Sequence, residues 1–109
     1  MTGSEYQRLA MRTCNLNDTH DMLYHAIFGL TSEAGEVSGI MQKHYQGHFV
    51  SIVHLLKELG DCLWMIAEAC EALGYSMDDI MEMNIEKLIE RYPDGFDTER
   101  SLHREDGDI

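Results

Sequence analysis

Proline occurs once in the chain, at Pro93. Everything upstream of it is free of the residue that most strongly breaks a helix. No stretch alternates strictly between apolar and polar residues, and Leu, Met, Ala, Glu and Ile dominate the interior, so the expectation is an all-α fold. Four helices are expected. The first lies near Ser4 to Cys14 and ends at Asn15, Asn17 and Asp18, a run of turn and cap formers. The second starts between Asp18 and Asp21 and runs to about Tyr45, where Gln46-Gly47 stops it. The third has Ser51 as its N-cap and Gly74 at its left-handed end. The fourth opens with Ser76 and Asp79 in capping-box spacing and must end before Pro93. Helices two and three would each be about 35 Å long at the standard rise, so they should pack side by side as an antiparallel bundle. Gly29, Gly35 and Gly39 in helix two mark either a kink or a close helix contact. One domain over residues 1–96 and a polar, charged, loosely ordered tail over 97–109 are expected.

Twenty acidic residues against eight basic ones give a net charge of -12. Such a chain repels nucleic acid and anionic lipid, so neither is an expected partner, and handling a polyanion would require cations to bridge the gap. With 44% hydrophobic residues there is still material for one core, unlike a disordered acidic tail. The N-terminal residues show no basic segment leading into an apolar run, and no apolar run is long enough to span a bilayer, so a cytoplasmic protein is expected. Cys14, Cys62 and Cys70 lack C-x-x-C spacing, which argues against a disulfide framework and a thiolate zinc site. Cys62 and Cys70 are expected to act as small core residues.

Position on the helix faces singles out four carboxylates. In helix two, Met22, Ala26, Leu30, Ala34, Val37 and Met41 form an apolar stripe, with Glu33 inside it and Glu36 near its edge. In helix three the stripe is Ile52, Leu55, Leu59, Ile66, Cys70 and Leu73, with Glu58 at its margin and Asp61 further round beside Met65. The run from Cys62 to Ala67 is apolar nearly all the way round, which points to burial against a second subunit. Four acids near buried faces repel one another and are costly to desolvate, and a cation resolves both problems. Magnesium, with manganese as a substitute, suits an all-oxygen ligand set; di-iron bundles need Glu-x-x-His spacing, which none of the six histidines provides. Geometry alone leaves open the alternative that these acids solvate helix edges.

In helix four, Asn84, Lys87 and Arg91 fall within a wedge of roughly 60° on the face of Ile80. A lone lysine there would be explained by snorkelling at a helix C-terminus. Beside a carboxylate-bound metal, the trio makes a phosphate clamp.

Glu33-Ala-Gly-Glu36, then Glu58-Leu-Gly-Asp61, then Asn84-Ile-Glu-Lys87-Leu-Ile-Glu-Arg91-Tyr-Pro-Asp-Gly-Phe96 resembles the MazG-like all-α nucleoside triphosphate pyrophosphohydrolases over about residues 20–96. Their signature is a Glu-x-x-Glu pair followed on the next long helix by Glu-x-x-Asp. Some members carry two consecutive acids before the first spacer. Here Ser32 takes the earlier position, which leaves the number of metal ions and the general base open.

The resemblance implies hydrolysis of a nucleoside triphosphate to a monophosphate and pyrophosphate by water attack at the α-phosphorus, with magnesium held by Glu33, Glu36, Glu58 and Asp61. It gives Glu36 the catalytic task of orienting the water, and Asn84, Lys87, Arg91 and Lys43 contacts to the phosphates. Trp64, with Phe28 and Tyr24 as alternatives, is the candidate for packing against the base. The family is similar to one that works as dimers or dimers of dimers, so the bundle would be completed by oligomerisation. The alternative is a catalytically inactive helical dimerisation or regulatory module. His20-Asp21, which also occurs in another class of metal-dependent phosphohydrolase, is explained by its place at a helix start.

Overall fold

The first helix begins where the sequence supplies a capping box. In this computed structural model, which describes residues 1–109, the Thr2 hydroxyl accepts from the Glu5 N–H and the Glu5 carboxylate accepts from the Thr2 N–H. This helix, α1 (Gly3–Ala10), is shorter than expected and tightens into a 3-10 turn over Met11–Thr13. The cause is competition for one carbonyl. Ala10 O accepts from the Thr13 hydroxyl and from the Trp64 indole N–H, while the Cys14 N–H turns to Met11 O.

The next three helices follow the cap signals. α2 (Thr19–Tyr45) starts behind Asp18, whose carboxylate accepts from the Asp21 N–H. α3 (Ile52–Leu73) starts behind Ser51 and ends at Gly74, which has φ 77°. α4 (Met77–Arg91) stops short of Pro93. The tail expected to be loosely ordered instead contains α5 (Thr98–Leu102), because Asp97 caps its first turn by accepting from the Arg100 N–H. All five helices make the fold all-α, with no strand. The chain divides into two compact units, Met1–Met77 and Asp78–Ile109.

In the first unit α2 and α3 run antiparallel. His25 meets Glu68, Gly29 meets Met65, and Glu33 meets Asp61, so numbers rise along one helix as they fall along the other. The inner line of α2 is Met22, Ala26, Gly29 and Glu33 rather than the expected line through Ala34 and Met41, both of which are exposed. From Met22 to Ala34 the expected line advanced in steps of four, and each such step drifts about 40° round a helix of 3.6 residues per turn. Gly29 is a close contact and not a kink, since a Cβ there would lie 2.5 Å from Met65 Sδ and α2 is unbroken. A Cβ at Gly35 or Gly39 would meet nothing.

The core is small. Ala67, Cys70 and Met77 are buried under Tyr6, Ala10 and Met11, with Ile66 beside them. Cys70 is therefore a core residue as expected, whereas Cys62 is only half-buried. Buried Gln7 ties α1 to the far end of α3: its amide donates to Glu71 at 2.8 Å and to Tyr75 O at 3.1 Å, and its oxygen accepts from the Met77 N–H at 2.7 Å. That last bond satisfies a donor of the first turn of α4 that has no partner within the helix.

Candidate metal centre

Antiparallel pairing sets Glu33 of α2 against Glu58 and Asp61, which are neighbours one turn apart on α3. The three carboxylates place an oxygen each within 4.8 Å of one another. Burial pushes the Glu33 carboxyl up, and the nearby charges of Asp61, Glu58 and Glu36 push it further the same way. No lysine or arginine forms an ion pair with any of the three. The one basic group in contact is His54, whose Nε2 lies 3.3 Å from Glu58 Oε1. An all-oxygen cluster with uncompensated repulsion fits a hard divalent cation and suits neither a soft metal nor a structural ion pair.

Glu36 is exposed and stands outside this trio, although its charge reaches Glu33. It lines a groove of about 290 Å³ with Lys43 and His54, floored by Gly35 and Gly39. Trp64 is half-buried, and its Nε1–H donates to Ala10 O at 3.1 Å and to Thr13 Oγ1 at 2.9 Å, so its polar edge is committed to the N-terminal segment. Tyr24 and Phe28 are exposed and stack with ring centroids 5.7 Å apart. In the second unit, Asn84 and Lys87 line a groove with Gly107, Asp108 and Ile109. Arg91 forms a two-pronged ion pair with Asp108.

Sequence reasoning missed a second carboxylate centre. Glu68 is fully buried, accepting from the Cys14 thiol at 3.3 Å and bonding His25 Nδ1. Burial pushes the Cys14 thiol up and Glu68 adds to the rise, so sulfur keeps the proton that it donates. A signal was present: Glu68 is the one acid in the otherwise apolar run from Cys62 to Cys70. Asp18, His20 and Asp21 also cluster, but they are exposed and Asp18 is occupied as the α2 cap.

The family model of the MazG nucleotide pyrophosphohydrolase domain matches residues 21–96, a span that holds all three clustered carboxylates. The chain belongs to this family. MazG proteins generally depend on a divalent metal, in accord with the acidic cluster. Comparison with curated proteins and with solved structures gives no match. No helix of this MazG chain is long and apolar enough to cross a membrane.

Proposed function

We propose that this MazG protein is a magnesium-dependent nucleoside triphosphate pyrophosphohydrolase that releases a monophosphate and pyrophosphate. The observation that carries this is the convergence of Glu33, Glu58 and Asp61 without a protein cation, on the two helices that bear the family's paired acidic motifs. Magnesium, when bound, neutralises phosphate oxygens and makes a bound water more acidic.

The chain's own groups have separate tasks. Glu33, Glu58 and Asp61 hold the cation, and Glu36, nearby on α2 and open to solvent, joins them and orients the attacking water. Lys43 shares the groove of Glu36 and supplies charge to the phosphates. Asn84, Lys87 and Arg91 are carried over from the motif order as further phosphate contacts. Trp64, half-buried, packs against the base in this proposal while its Nε1–H stays bonded to Ala10 and Thr13.

Hydrolysis in water enriched in heavy oxygen tests the reaction. Label should enter the monophosphate, with pyrophosphate unlabelled and no diphosphate formed. Diphosphate plus orthophosphate would reject attack at the α-phosphorus, and no turnover of any nucleotide would favour an inactive helical module.

A second copy of the chain completes the bundle in this proposal. Ile27, Phe28, Val53, Leu56, Leu59 and Leu63 are 44–67% exposed on the two long helices. Ile52 and Leu73, expected in the inner stripe of α3, are exposed as well. Covering the six residues of the α2/α3 surface would contribute on the order of 5–9 kcal/mol, half of the usual value for full burial of each. Light scattering at micromolar concentration should show a dimer or a dimer of dimers, and an active monomer would refute this part.

A further inference from the structure

The second unit already holds an anion on a group assigned above to the substrate. Arg91 Nε and Nη2 donate to the two oxygens of Asp108 at 2.9 and 2.7 Å. The side chains are 11% and 18% exposed, so water screens the pair only partly. Asp108 is delivered by a turn in which Gly107 takes φ 87° and the Asp108 N–H donates to Glu105 O. Arg100, His103 and Arg104 line, with Arg91, a cavity of about 100 Å³ beside the pair. Lys87 lines a separate groove with Asp108. The Arg91 bond pulls the Asp108 carboxyl below its usual range, and Arg104 and Lys87 act in the same direction.

A carboxylate presents two oxygens to a guanidinium fork in the same way as a phosphate, but with less charge. We propose that Asp108 is an intramolecular stand-in for a substrate phosphate, so that the C-terminal turn occupies the Arg91 anion site until a di- or triphosphate displaces it. This rests on the assignment of Arg91 to phosphate binding. Occupation by the tail lowers apparent phosphate affinity in proportion to the fraction of molecules with the site closed. A pair that served only to strap the tail down would leave phosphate affinity unchanged when broken.

Titration calorimetry with magnesium pyrophosphate on the wild type, Asp108→Asn, Asp108→Ser and Arg91→Ala separates these cases. Hydrogen exchange over residues 103–109 reports on the tail directly. Both Asp108 variants should bind pyrophosphate about two- to fivefold more tightly, as loss of a partly screened ion pair implies. Pyrophosphate should also speed exchange of residues 103–109 in the wild type. If Arg91→Ala loses affinity while both Asp108 variants bind no better than wild type, the stand-in role is overturned and the assignment of Arg91 survives. If Arg91→Ala binds as tightly as wild type, the assignment itself fails and the stand-in role falls with it.

Discussion

Glu33→Gln is expected to make the metal-free protein more stable and to abolish its activity. Glu33 is partly out of water and held against Asp61 and Glu58, with the charge of Glu36 also reaching it, so its carboxyl is pushed above the ordinary value for glutamate. A carboxyl raised by folding binds its proton more tightly in the folded chain. Its contribution to stability is full below the unfolded value of about 4.3 and is lost as pH rises through the folded value. Glutamine removes that loss. In the absence of metal the variant should therefore melt above the wild type at neutral pH, and the two should converge in acid. Magnesium should reverse the order, raising the melting temperature of the wild type by mass action while leaving the variant almost unmoved. Loss of a metal ligand should lower turnover by about a thousandfold or more, since both charge neutralisation and water activation depend on the ion. Thermal melts with and without magnesium across pH, alongside a pyrophosphate-release assay, check all three effects. An unchanged magnesium shift in Glu33→Gln would place the ion elsewhere.

The parts of this molecule that sequence could show are those decided within one or two helical turns. Asp18, Ser51 and Gly74 mark helix ends because a cap bonds backbone only three or four residues away, and each stands where the pattern put it. Glu33 was visible as an acid inside an apolar face, and Glu58 and Asp61 as neighbours on the next helix. Their convergence on one point depends on the α2/α3 register. That register is set by Gly29 against Met65 and by His25 against Glu68, pairs that lie far apart in the sequence. For the same reason Gln7, whose partners are 64 to 70 residues away, left no trace in local patterning. Arg91 shows the opposite limit: sequence placed a cation on the helix face shared with Asn84 and Lys87, but not Asp108, 17 residues later, which occupies it.

Glu68→Ala should be the most destabilising single change in the first unit. The side chain is wholly enclosed, and removing it leaves a cavity together with a half-buried Cys14 thiol and a His25 nitrogen deprived of their partner. Such a change costs about 3–4 kcal/mol, or a fall of roughly 10–20 °C in melting temperature for a chain of this size. Glu68→Gln keeps the volume and one acceptor oxygen but turns an amide N–H toward a second donor, so about 1–2 kcal/mol is expected. Cys14→Ser retains a hydroxyl donor and should cost less than either. The consequence extends to the site, because His25 and Glu33 are about two turns apart on α2, and the His25–Glu68 bond fixes the register that sets Glu33 against Asp61. Glu68→Gln, still folded, should therefore bind magnesium more weakly than the wild type although it is not a ligand. Calorimetric melting gives the stability series, and magnesium titration of the Gln variant gives the coupling. If the Ala variant melts within a degree or two of the wild type, the buried network does not hold α2 to α3.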